Sequence, residues 1–332
     1  MPSSKNFRPW NLRLAAILAA LSLPGCSTFA PPEIPPAPDP EPVTVTPSPE
    51  PVPAKPPRAE PVEVPPVQPA LPPVAIVVTS TQPAYADVAE ELVARLDQYT
   101  IYDLSDKSQP PVVVLRHIND SETRAVVAIG LRAAQSSVAM ANSPVIFSQV
   151  FNHQDHDLVT ASSRGVAALA PLSAQLAAWQ ELYPDVRRLG LIVGRGHDDQ
   201  IAAAQVEAER RGIELRVRES GSDQETLYLF RRMVRDIDGF WLFPDNRILS
   251  PRVLQQMIAD ANRVQVPLSA PNESMLEMGA SVSLATVAAD IAETIVRLIR
   301  DIEAGRLASL PSISQLSEIR VTTREAPRVA DR

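Results

Sequence analysis

The sequence predicts an α/β protein built as two doubly wound parallel-sheet lobes. Three observations carry this reading. Short apolar runs recur from Val74 to Leu284, and most are followed by a stretch with helical spacing. Strands of about 4–8 residues alternating with helices of about 10–15 imply parallel sheets with helices on both faces. The series occurs twice within about 250 residues, which suits two domains at roughly 100–200 residues each. The segment ahead of it is so rich in proline that ordered structure starts only near Val74.

The elements follow in order. Val74–Thr79 is a continuous apolar run, read as a buried strand, and Ala84–Leu96 carries apolar residues at helical spacing. Ala125–Gly130 is a second strand, Leu131–Met140 a helix and Val145–Phe147 a third strand. The stretch Asp103–Asp120 looks compressed, so the first lobe is expected to lack a full helix. The unit then repeats. Arg188–Val193 is a strand, Gln200–Arg211 a helix ending at Gly212, and Ile213–Val217 a strand. Ser222-Asp-Gln-Glu225 is a capping box that opens a helix through Arg235. Gly239–Phe243 is a strand. Ser250 and Pro251 sit at N-cap and first helical position of a helix to Arg263. Val266–Ala270 and Ala280–Leu284 are strands, and a long helix fills Val287–Ala304.

Ahead of this, residues 1–26 read as a secretion signal. Lys5, Arg8 and Arg13 precede an apolar stretch, Leu14–Leu21, too short for a bilayer that needs about 20 apolar residues. It ends in Leu23-Pro24-Gly25-Cys26, which resembles a lipobox and makes Cys26 the lipidation site. Ser27, where aspartate would be an inner-membrane signal, favours the outer membrane. Residues 27–73 form a proline-rich linker. Nineteen of the 34 prolines lie in Pro31–Val74, with no glycine. Such a segment is a semi-rigid spacer at roughly 3.1 Å per residue, about 130 Å extended.

Composition narrows the function. Acidic residues number 39 against 31 basic, a formal charge of −8, which argues against nucleic acid as a partner. A single cysteine excludes an intrachain disulfide and a multi-cysteine zinc site. In open parallel sheets, ligands bind beyond the carboxyl ends of the strands. With two lobes that places the site in the cleft between them. The strand ends there carry hydroxyls, amides and carboxylates, as a cleft for a small polar ligand requires.

Val126–Gly130, Pro144–Phe147, Glu181–Val193, Phe243–Asn246 and Val266–Gly279, in that order and spacing, resemble the substrate-binding proteins of ABC transporters. The likeness spans about residues 74–325. It implies the type I periplasmic binding protein architecture, with three chain crossings. One lobe would hold 74–150 plus 279–306. The other would hold 151–278 plus 307–325, joined by a tail strand near Ile319–Thr323. Ligand-binding residues carry over onto Ser80, Thr81, Gly130, Leu131, Ser148, Gln149, Asp245, Asn246, Asn272 and Glu273. The helix start at Gly130 would suit a ligand carboxylate, with Arg132 adding a fork. Asp245 or Glu273 would suit an ammonium. The resemblance further implies a small-molecule, amino-acid-like ligand, an inner-membrane ABC permease as partner, no cofactor, no catalysis, and a lipid-anchored envelope location facing the periplasm. The sequence departs where the family has tyrosines after the late strand. Here it reads Leu284-Ala-Thr-Val-Ala-Ala-Asp290, so an aromatic wall is missing.

Other motifs point to nothing further. His153-Gln-Asp-His156 lacks a third metal ligand and reads as a solvated crossing loop. Gly194–Asp199 lacks the third glycine and lysine of a phosphate loop. Trp179, Tyr183, Tyr228, Phe230, Phe240 and Trp241 read as packing. The rival to solute capture is an envelope lipoprotein that uses the same fold as a protein-docking or regulatory domain on its proline strut.

Overall fold

The computed structural model describes residues 71–245 and 247–324. The signal, Cys26, nearly all of the linker and Asn246 lie outside the described residues. Two six-stranded sheets organise the rest. The first contains β1 (Val74–Val78), β2 (Tyr99–Asp103), β3 (Ala125–Ile129), β4 (Val145–Ser148), β5 (Ser163–Val166) and β11 (Ile313–Ser314), in the order β11-β5-β4-β3-β1-β2, all parallel. The second contains β6 (Arg188–Val193), β7 (Glu214–Glu219), β8 (Gly239–Trp241), β9 (Leu268–Ala270), β10 (Val282–Ala285) and β12 (Arg320–Thr323), in the order β12-β10-β9-β8-β6-β7. Only β12 runs antiparallel to its neighbour, β10.

Helices cover both faces of each sheet, because every residue of β1 and β3 is buried and needs apolar neighbours above and below. On the first sheet, α1 (Pro83–Val93) and α9 (Ala288–Glu303) pack with Val74, Ile76 and Val78. Opposite them, α2 (Pro111–Asp120) and α3 (Leu131–Met140) pack with Ala75 and Val77. On the second sheet, α6 (Asp223–Met233) and α7 (Pro251–Arg263) pack against Ile192, Phe240 and Leu268. The other face takes α4 (Leu172–Leu182) and α5 (Asp198–Arg210) against Leu189, Leu191 and Trp241. In α9, Ile291, Ile295, Leu298 and Ile299 are each buried, at roughly 1.5–3 kcal/mol apiece.

The predicted caps form. Ser222 accepts from the Glu225 amide at 3.2 Å, and Glu225 reaches back to the Gly221 amide at 2.8 Å, one residue beyond the amide that the reciprocal capping box would use. Ser250 accepts from the Val253 amide at 3.3 Å. Of the aromatics read as packing, Trp179, Phe230, Phe240 and Trp241 are buried. Tyr228 instead projects from α6 at 58% exposure, with Arg232 above its ring.

The chain passes between the sheets three times: between β5 and α4, between β10 and α9, and between β11 and β12. These positions differ from the expected boundaries at 150 and 279. β5 extends the first sheet beyond residue 150, and β10 belongs to the second sheet although α9 directly after it covers the first. The expected lack of a helix in Asp103–Asp120 is also corrected, since α2 occupies Pro111–Asp120. The link between β11 and β12 is pinned by Asp290 at the start of α9. Its carboxylate accepts from the Ser317 amide at 2.7 Å, the Glu318 amide at 2.9 Å and the Ser317 hydroxyl at 2.9 Å.

Candidate functional site

Between the carboxyl ends of the two sheets lies a cavity of about 570 Å³. One wall is the start of α1, Gln82 to Val88, together with Gln149 and Phe151 after β4. The facing wall is Pro244 after β8, Pro271–Ser274 after β9, and Arg320 on β12. Ala285, Thr286 and Ala288 close the back, where β10 passes into α9. Pro83 opens α1 and carries no N–H, and the Tyr85 and Ala86 amides turn back to the Gln82 carbonyl at 2.9 and 3.0 Å, so the first turn is closed on itself. Gln149 has φ 57°, a left-handed conformation unusual for glutamine, at the point where the chain leaves β4. Charge of both signs lines the space: Asp87 and Glu273 are acidic, Arg320 basic. Glu273 Oε1 accepts from Thr322 Oγ1 at 2.9 Å, and Asn272 Oδ1 accepts from the Ser274 hydroxyl at 2.7 Å.

Of the residues expected from the sequence, Gln149, Asn272 and Glu273 line this cavity. The other described ones are placed elsewhere, and Asn246 lies outside the described residues. Ser80 and Thr81 line a separate hollow of about 420 Å³ on the first lobe, between α1 and the edge strand β2. Ser148 is fully buried. Gly130 is buried with φ 86°, and its amide donates to the Ser148 carbonyl at 2.9 Å. The start of α3, expected to face a ligand carboxylate, is filled by the protein itself. Thr79 Oγ1 accepts from the Ala133 amide at 3.1 Å, and Tyr85 packs over Gly130. Leu131 packs with the α2–α3 face of the first sheet. Arg132 donates to the Leu104 carbonyl at 3.0 Å rather than offering a free fork. The stretch after the late strand lines the cavity with Ala285, Thr286 and Ala288 and brings no aromatic ring to it, while Phe151 enters the lining from the loop after β4.

Asp245 is the sharpest departure. Its side chain is fully buried. Oδ2 accepts from Arg247 Nη2 at 2.6 Å and the Gly194 amide at 3.1 Å. Oδ1 accepts from Arg247 Nε at 2.9 Å, the Arg247 amide at 3.0 Å and Asn152 Nδ2 at 3.2 Å. Burial alone would push this carboxyl up, but the hydrogen bonds from Arg247, His197 and Asn152 outweigh it and hold the group far below the usual carboxylate range. Gly194 must be glycine here, because a Cβ would stand 2.4 Å from Asp245 Oδ2. His197 Nε2 sits between Asp245 Oδ2 at 3.3 Å and Arg247 Nη2 at 2.9 Å. The segment His153–His156 is a short 3₁₀ turn in the β4–β5 connection, not a crossing between lobes. Among the described residues no cluster of metal-ligating side chains occurs.

The family model described as ABC transporter substrate binding protein matches residues 88–312. The chain belongs to that family. Solved structures show the same fold, that of the type I periplasmic binding proteins. A ligand-free, open substrate binding protein with adhesive properties from Clostridium difficile is 15% identical, with a TM-score of 0.58 over 76% of this chain and 92% of that one. A conserved domain protein from Vibrio cholerae is 16% identical, TM-score 0.53, with the same coverage of 76% and 92%. An ABC domain from Streptococcus pneumonia, solved in complex with L-Trp, is 17% identical, TM-score 0.52, again covering 76% and 92%. No curated protein matches the chain.

Sequence reasoning missed Pro83, Ala84, Asp87, Phe151 and Arg320. A strand-end rule looks only just past β-strands. These residues lie on a helix start, further into a loop, and on an antiparallel tail strand.

Proposed function

We propose that this substrate-binding protein is the membrane-anchored solute receptor of an ABC-type importer. It takes a small polar, amino-acid-like ligand in the cavity between its lobes and passes it to an inner-membrane permease. The observation that carries the ligand class is the pairing of opposite charges across one small space. Arg320 suits a carboxylate, while Asp87 and Glu273 suit an ammonium. No bond is broken; capture works by stabilising a lobe arrangement that contacts the solute from both sides. The anchor is the lipid on Cys26, and the proline-rich linker sets the receptor clear of the membrane.

The test is a thermal-shift screen of the full chain with L-amino acids. Matched amines and carboxylic acids, each lacking one of the two charges, serve as controls. A ligand at 100 times its Kd adds about 2.7 kcal/mol of stability, a shift of several degrees for a domain pair of this size. Amino acids should shift the midpoint, single-charge analogues should not, and Arg320→Gln or Glu273→Gln should remove the response. Cys26→Ser should move the protein from the membrane to the soluble fraction.

A second reading, an envelope lipoprotein using this fold for protein docking, is favoured by one finding. Asp245 and the α3 start, both suited to ligand, are spent on internal bonds. Silence across the whole solute panel would select it.

A further inference from the structure

We propose that the connection between β4 and β5 is a latch that holds the two lobes together at the cleft without any solute. The connection is rooted in the first lobe. His156 Nδ1 lies 3.2 Å from Gln135 Nε2 on α3, and the His153 ring lies 6.0 Å from Phe147 on β4. Its other side chains engage the second lobe. The Phe151 ring meets Phe243 edge-on at 4.8 Å and His197 at 5.4 Å. Asp155 Oδ2 accepts from Arg247 Nη1 at 2.7 Å, and Asn152 Nδ2 donates to Asp245 at 3.2 Å. Arg247 thus spans an acid on each lobe.

Position gives these contacts their meaning. Two of the three crossings leave the second sheet at its β12-β10 edge. The latch partners follow β6 and β8, the fifth and fourth strands from that edge. The Asp155–Arg247 pair and the Asn152–Asp245 bond therefore lie away from those two crossings, whereas Phe151 packs beside Leu169 and Leu172 of the first crossing, and opening the cleft has to break the pair and the bond. Arg247 cannot turn away freely, because its Nε and Nη2 are already fixed on Asp245. His197 and Phe243 also meet edge-on at 5.1 Å, a preformed seat for Phe151. The resting arrangement of the lobes is thus set by the chain's own residues, which removes part of the conformational cost of capture.

Hydrogen–deuterium exchange on the full chain, with no solute added, tests this. In the wild type, Gly194–His197 and Phe243–Asp245 should exchange slowly. Asp155→Asn removes a partly exposed ion pair from the first lobe and should speed exchange of those second-lobe segments about threefold. Phe151→Ala removes two ring contacts and should speed it more than tenfold. The core strands β3 and β6 should be unchanged, which reports an intact fold. If Phe151→Ala disturbs those strands, Asp155→Asn alone decides. Acceleration confined to residues 149–157, or unprotected exchange in the wild type, overturns the latch. The latch bears on the cleft proposed above as the solute site. Its readout uses no solute, so silence in the amino-acid screen leaves it standing, and its failure leaves solute capture standing.

Discussion

Asp245→Asn separates a carboxylate that builds the fold from one that serves a solute. The native group accepts five hydrogen bonds from Arg247, Gly194 and Asn152 while wholly removed from water. Asparagine keeps the shape, but one arm becomes an NH₂ donor aimed at other donors, and Arg247 loses its buried counter-charge. Breaking a buried pair costs about 3–5 kcal/mol. The Arg247 side chain retains 31% exposure, so its charge is not stranded, and the lower end of that range applies. A loss of about 3 kcal/mol lowers Tm by roughly 6–12 °C in a domain pair of this size. Thermal and urea unfolding of wild type and variant at pH 7, without solute, measure it. The pH dependence supplies a second reading. The folded carboxyl titrates below its unfolded counterpart, so its contribution is complete above about pH 4 and declines as pH falls below that. With an unfolded aspartate near 3.9, the gap between wild type and variant should narrow by about 1 kcal/mol from pH 7 to pH 3. A loss under 1 kcal/mol at pH 7, or a gap that does not narrow, refutes the structural role.

Gly130→Ala forces a Cβ to within 2.7 Å of Thr79 Oγ1 at a φ of 86°, and should cost roughly 2–3 kcal/mol in urea midpoint with an unchanged slope. Trp241→Phe deletes a buried bond of 2.9 Å to Gln175 Oε1 and should cost about 1–2 kcal/mol, with near-ultraviolet circular dichroism reporting the altered core. Ile295→Ala empties a fully buried site on α9 and should cost about 2–5 kcal/mol by calorimetry. Asp238, held below the usual carboxylate range by the Arg188 guanidinium at 2.6 Å, is paired largely in solvent. Asp238→Asn should therefore lose under about 1 kcal/mol at pH 7, a difference that vanishes as pH falls below 4.

The strands plainest in the sequence are those with no polar face, although β7, an edge strand with Glu214 and Glu219 exposed, is legible as well. β1 and β3 are buried at every position, so their apolar runs are unbroken. β2 sits at a sheet edge with Tyr99 and Ile101 exposed, which erases that signal. β5 is hidden for the opposite reason. It is fully buried yet reads Ser-Arg-Gly-Val, because Arg164 spends its donors on the carbonyls of Leu307, Leu310 and Thr160. With β5 unseen, the first crossing was placed too early. The cleft was legible as a location, and Gln149, Asn272 and Glu273 were found there. Asp245 was not, since a rule that looks for polar strand ends cannot tell a waiting carboxylate from one satisfied two residues later by Arg247.

The interleaving of the two sheets bears on synthesis. The first sheet gains its last strand at Ile313–Ser314 and the second at Arg320–Thr323. Neither half is therefore a contiguous stretch of polypeptide. A nascent chain stopped short of residue 313 carries two unfinished sheet edges, and their completion must wait for pairings between residues far apart in the chain. A cut in the gene between β5 and α4, where the chain first leaves the first sheet, therefore still divides that sheet's strands between two fragments.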